Sequence, residues 1–163
     1  MSMENAPYDG DQPCLSPTCH RIFGIYGPIL AHANLNEDTH LGLQQLFGPI
    51  STMPFEQLGL IMHKGKALDA IGSEKTYMAN PSRLKLPVHM VSGSLNQEFL
   101  PDGTFRTLTW LQQAMPDSSG MFSRHVIDGY AHLDCFIGKN AHVDVFPHRL
   151  KTLATYAAQR AAK

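Results

Sequence analysis

Two observations in this sequence predict an α/β fold built on a parallel sheet. From Leu86 onward two short apolar runs, "LPVHMVSGS" and "FSRHVIDGY", alternate with two longer segments of helical spacing. The first run is entered through Pro87 and left through Ser92 and Gly93, as a buried parallel strand is. The order strand, helix, strand, helix then favours parallel pairing through a crossover. Two strands leave both faces and both edges to be covered, so this part reads as the end of a larger fold.

Taken in order, residues 1–18 are polar and rich in Pro, Asp and Ser, a loose lead-in. Residues 19–85 form a helical, cap-like or lid-like segment. Its stretch Cys19 to Leu35 is apolar but broken by Gly24, Gly27 and Pro28. "NEDTHLGLQQLFG" is a clearer helix, capped by Asn36 or Asp38, with an apolar stripe of Leu41, Leu43, Leu46 and Phe47. "MPFEQLGLIMHKG" is another, with His63 and Lys64 at the end the helix dipole favours for cations. The stretch from Ala67 to Lys85 has no strong period and reads as a hairpin or loops. Residues 86–163 are the strand-helix-strand-helix unit. "DGTFRTLTWLQQAMP" is its first helix, stopped at Pro116, and the last helix is interrupted or started at Pro147.

Composition bounds the function. The 163 residues suffice for one domain, and 43% hydrophobic with 17% charged residues describe a globular chain. A net charge of −1 gives no reason to expect nucleic acid or an anionic membrane as partner. No apolar run approaches the ~20 residues that span a bilayer, and the opening residues lack a signal peptide's pattern. Three cysteines, an odd number, do not build a disulfide framework. Cys14 and Cys19 are close enough to pair in a loop, Cys135 is expected as a buried thiol in an apolar run, and a reducing, cytoplasmic compartment is favoured.

Nine histidines raise the question of a metal. Cys14 and Cys19–His20 do not match a zinc knuckle, and His142 and His148 straddle a proline. No metal site is therefore expected, and scattered packed or surface histidines are the default. There is no G-x-S-x-G turn for a serine nucleophile and no glycine-rich phosphate loop. A free-standing esterase would have to use Ser92 or Ser94 in an unconventional setting.

What remains is the pairing of "LPVHMVSGSLNQEFLP" with "RHVIDGYAHLDCFIG". A strand ending in Ser-Gly, followed by a polar residue three positions after the glycine, is where an α/β hydrolase carries its triad acid. A second strand ending in Gly-x-x-His is where it carries its base. A carboxylate there orients the imidazole, and the imidazole takes a serine proton.

These stretches, with "CHRIFGIYGPILAHANLNEDTHLGLQQLFG" before them, resemble the last part of the α/β-hydrolase region fused to cholesterol-oxidase-like GMC flavoproteins, itself similar to acid lipases. The likeness runs from about Cys14 to the end, and Gly-Tyr-x-His-Leu-Asp-Cys is its most specific part. It implies the C-terminal portion of an α/β-hydrolase fold and a lipid or sterol ligand. It places His132 on the triad histidine and Asn96 on the acid position, an amide where hydrolases carry a carboxylate. Glu98 and Asp134 are the other candidates for that role, although Asp134 fits a helix-start cap better. The nucleophile segment and the FAD-binding portion would lie upstream or in a companion chain, with no cofactor in this one. Alone, such a chain is expected to be inactive. The alternatives are a non-catalytic lipid-binding module or half of a split enzyme.

Overall fold

The structure, a computed structural model, describes residues 14–161. Most of the lead-in expected over residues 1–18 thus lies outside the described residues. Its end is already ordered: helix α1 (Pro17–Tyr26) starts there, with Ser16 as its cap accepting the Cys19 N–H. Pro17 sits in the first turn, where the missing N–H costs nothing. Gly24 does not break the helix, which ends at Gly27 with φ 79°.

Helices α2 (Glu37–Leu46) and α3 (Met53–Lys64) form where their caps put them. Asn36, not Asp38, caps α2, its Oδ1 accepting the Thr39 N–H at 2.7 Å. His63 and Lys64 occupy the last turn of α3 before a left-handed Gly65. The stripe expected on α2 is divided. Leu43 is fully buried, whereas Leu41 and Leu46 remain more than half exposed. No hairpin follows among the described residues. Turns around the Asp69 carboxylate and a short 3-10 turn at Pro81–Arg83 fill the stretch.

Strand β1 (Val88–Gly93), helix α4 (Pro101–Ala114) and strand β2 (Phe122–Ile127) come next. The strands pair in parallel, Val88 opposite Phe122 and Gly93 opposite Ile127. The short helices α5 (Asp134–Ile137) and α6 (Ala141–Asp144) lead into α7 (Phe146–Ala161), which starts one residue before Pro147. Side chains alternate across the strands. Ser123 meets Tyr156 of α7 at 3.2 Å and His125 stacks on His148 of α7 at 4.3 Å between ring centroids. Arg124, on the other face, donates to Thr104 and to the Pro101 carbonyl of α4. Helices therefore cover both faces of an α/β unit whose sheet has only two strands among the described residues. The outer edges of β1 and β2 are left without a strand partner there.

Two apolar clusters hold the chain. One gathers Cys19, Ile22, Ile29, Leu30, Leu35 and Leu43; the other gathers Ile127, Tyr130, Cys135, Ala141 and Val145. Polar links tie them together. The Ile29 carbonyl accepts the N–H groups of His132 and Leu133 at 3.2 and 3.0 Å, and the Asn34 carbonyl accepts that of Lys139 at 2.7 Å. No described helix is long and apolar enough to cross a membrane.

Candidate functional site

The site forms where two strand ends come unusually close. A Cβ on Gly93 would lie 2.0 Å from the Tyr130 carbonyl oxygen and 2.3 Å from that of Ala131, so glycine alone permits the approach. The Ile127 and Tyr130 carbonyls accept the N–H groups of Ser94 and Leu95, each at 2.8 Å. Gly129, at φ 73°, turns the chain after β2. These constraints set Asn96 beside His132, the two residues singled out from the sequence.

Asn96 is buried, and its amide Nδ2 stands 3.1 Å from Nδ1 of His132. Its Oδ1 accepts the N–H groups of Glu98 and Phe99 at 3.1 and 2.9 Å. Two N–H donors on the oxygen fix the orientation of the amide, because the flipped form would set NH2 against both. Nδ2 therefore donates to Nδ1, and the hydrogen-bond network assigns the ring proton of neutral His132 to Nε2. That is the opposite of a triad base, whose Nδ1–H points at a carboxylate and whose Nε2 is free to accept.

Neither other acidic candidate takes the place of Asn96. Glu98 supplies its backbone N–H to Asn96 and borders the cleft described below. Asp134 is fully buried; both its oxygens accept the Ala131 N–H at 3.1 Å, and Oδ2 also accepts the Asn34 amide at 2.6 Å. It is a brace inside the fold rather than the expected helix cap, a position held by Leu133. The two serines point elsewhere. Ser92 is buried and donates to the Gly93 carbonyl, and Ser94 donates to Asp128 at 3.0 Å.

His132 borders a cleft of about 440 Å³. Tyr26, Ile29, Leu46, Phe47, Phe55, Leu58 and Phe99 give it mostly apolar walls. The Phe99 ring lies 5.2 Å from the imidazole, and Tyr26 joins Phe47 and Phe55 in an aromatic row at 5.7 and 5.9 Å. Helix α3 supplies Pro54, Phe55 and Leu58 to this wall, and none of its residues is fully buried.

A second constellation gathers at the start of α1. Cys14, Cys19, His32 and His40 each bring one donor atom to a point, all within 4.8 Å of one another. Cys14 and Cys19 Sγ are 3.4 and 3.1 Å from His40 Nε2. Burial, then the neighbouring Cys14, pushes the Cys19 thiol up to about 11. His20, the histidine next to Cys19 in sequence, stays out of the cluster, its Nε2 meeting the Cys14 carbonyl oxygen at 2.7 Å. The available signal was the wider pattern C-x4-C-x12-H-x7-H, whose two pairs lie on different elements. Cys135 is buried as expected; its S–H donates to the Ala131 carbonyl and burial pushes its thiol up to about 11. All three cysteines are free thiols.

No family model matches the chain, and no curated protein or solved structure shows significant similarity to it. The likeness to the GMC-linked hydrolase region thus stands on the quoted motifs alone.

Proposed function

We propose that the chain is the histidine-bearing end of an α/β-hydrolase-type domain that receives a lipid-like or sterol-like molecule in the cleft, and that it is catalytically silent alone. The observation that carries this reading is the Asn96–His132 pair. Two polar side chains stand just beyond the carboxyl ends of adjacent parallel strands, acid position first and histidine second, within hydrogen-bond distance. Open α/β sheets place their ligands at that edge.

The cleft supports the ligand class. Its walls are largely apolar, and the Nε2–H of His132 offers a single donor to a carbonyl or hydroxyl oxygen. The silence of the chain alone follows from its own serines, since Ser92 and Ser94 donate to the Gly93 carbonyl and to Asp128 rather than to His132. Strand edges left unpaired among the described residues and exposed Ile50, Leu86 and Leu100 support a companion portion, upstream or on another chain, that would also carry any nucleophile and any FAD. Helix α3 would then act as the lid-like wall.

Titration with a fluorescent sterol and a series of p-nitrophenyl esters tests the proposal. The expected result is saturable sterol binding, weakened by Phe55→Ala, with no ester turnover. Absence of binding overturns the ligand class, and turnover lost in Ser94→Ala assigns a free-standing esterase instead. A second reading, a lipid-binding module with no catalytic partner, is favoured by the amide at position 96. Co-expression with the polypeptide encoded immediately upstream separates the two: an active complex supports the hydrolase reading, and no complex supports the module.

A further inference from the structure

We infer that Cys14, Cys19, His32 and His40 form a closed, four-ligand zinc site that clips the start of α1 to the start of α2. Two sulfurs and two imidazole nitrogens converge from four places in the chain. Cys14 precedes α1, Cys19 lies in its first turn, His32 opens a 3-10 turn and His40 lies in the first turn of α2. Zinc bound tetrahedrally by such donors keeps its ligand atoms roughly 3.3–3.8 Å apart, from bonds of about 2.0–2.3 Å. The 3.1 and 3.4 Å separations to His40 already have that scale, and the 4.8 Å limit on the others asks only for a small contraction. The donor set chooses the metal. Thiolate and imidazole suit zinc, whereas magnesium and calcium need oxygen ligands, and none of the four residues is a carboxylate.

The surroundings are those of a ligand shell. The Ser16 N–H points at Cys14 Sγ at 3.5 Å, as amides do around metal thiolates, and His20 holds the Cys14 carbonyl from outside. Cys19 is 3% exposed. Four protein ligands leave no open position, so the metal's work is structural: it closes the chain between Cys14 and His40, adding a cross-link to the apolar contacts and hydrogen bonds that otherwise order that loop. Within that loop lie Ile29 and Asn34, whose carbonyls hold the amides of His132, Leu133 and Lys139. The clip would therefore stiffen the strut under the His132 loop. It stands independently of the function proposed for the cleft.

The full chain, purified under reducing conditions, is assayed for zinc and then loaded with cobalt. The expected results are about one zinc per chain and, with cobalt, the intense visible bands of a tetrahedral ion together with thiolate-to-metal charge transfer. Cys19→Ser and His40→Ala should each weaken binding by more than the roughly 10–100-fold that outer-shell changes cost. Cys135→Ser and His142→Ala should leave it unchanged. Chelation of the wild-type chain should accelerate hydrogen exchange at the His132, Leu133 and Lys139 amides, a readout that needs no variant to fold. A folded, reduced chain that retains no zinc overturns the site. So does cobalt bound with the weak spectrum of six oxygen ligands, or zinc affinity undiminished in His40→Ala.

Discussion

The amide nitrogen of Asn96 donates to Nδ1 of His132 across 3.1 Å, from a side chain whose oxygen is already held by the N–H groups of Glu98 and Phe99. An imidazole at a strand end is thereby held in a single orientation with its proton on the outward nitrogen. The geometry of a catalytic pair is present with its polarity reversed.

Substituting Asn96→Asp should reverse that polarity. A carboxylate accepts, so the proton of His132 would move to Nδ1 and leave Nε2 as the acceptor. Long-range ¹⁵N–¹H correlation spectra should report the Nε2–H tautomer in the wild type and the Nδ1–H tautomer in the variant. The Nδ1–H form in the wild type would show that the amide is turned the other way.

Gly93→Ala should cost at least about 3 kcal/mol, at the upper end of what overpacking costs. The added Cβ would overlap the carbonyl oxygens of Tyr130 and Ala131, which are backbone atoms of the segment that carries His132. Urea unfolding monitored by circular dichroism measures the loss, and the Nδ1 resonance of His132 should shift as the two strand ends part.

On α2 the cost of shortening a leucine should depend on which leucine is cut. Leu43→Ala empties a fully buried position and should cost about 2–5 kcal/mol. Leu41→Ser, on the exposed side, should change stability by less than about 0.5 kcal/mol. Equal losses in thermal or urea unfolding would mean that a partner or a further element covers the Leu41 side.

Stability should fall on acidification through His89. Its Nδ1 meets Ser123 at 2.8 Å, while its Nε2 is buried and makes no hydrogen bond within the described residues. Burial first, then His125, His148 and Arg149, holds its pKa below the ordinary histidine value. As the pH drops below about 6.5, the unfolded chain takes up the proton before the folded one does. The stability present above that value is therefore lost below it. His89→Leu should flatten the dependence, read as urea midpoints from about pH 8 to about pH 5. Because the variant also loses the Ser123 bond, the slope with pH is the quantity compared.

Local chemistry was legible wherever one stretch of chain decided the outcome. A cap at Asn36 or Asp38, the stop at Gly65, the strands at Val88–Gly93 and Phe122–Ile127, and the burial of Cys135 all depend on neighbours close in sequence or on an apolar run that must leave water. Parallel pairing followed from the strand-helix-strand-helix order. The proximity of Asn96 and His132 was legible too, because both lie just past paired strands. What no local rule contains is how distant groups divide their hydrogen bonds. The side of α2 that is buried, the brace between Asp134 and Asn34, the direction of the Asn96 amide and the convergence of Cys14, Cys19, His32 and His40 each depend on groups brought together from separate elements. By itself, then, the sequence determined the two strands, the helices α2, α3, α4 and α7, their order and the residues at the strand ends. Tertiary structure decided which donor meets which acceptor, because a buried polar group takes whichever partner the packing places within reach.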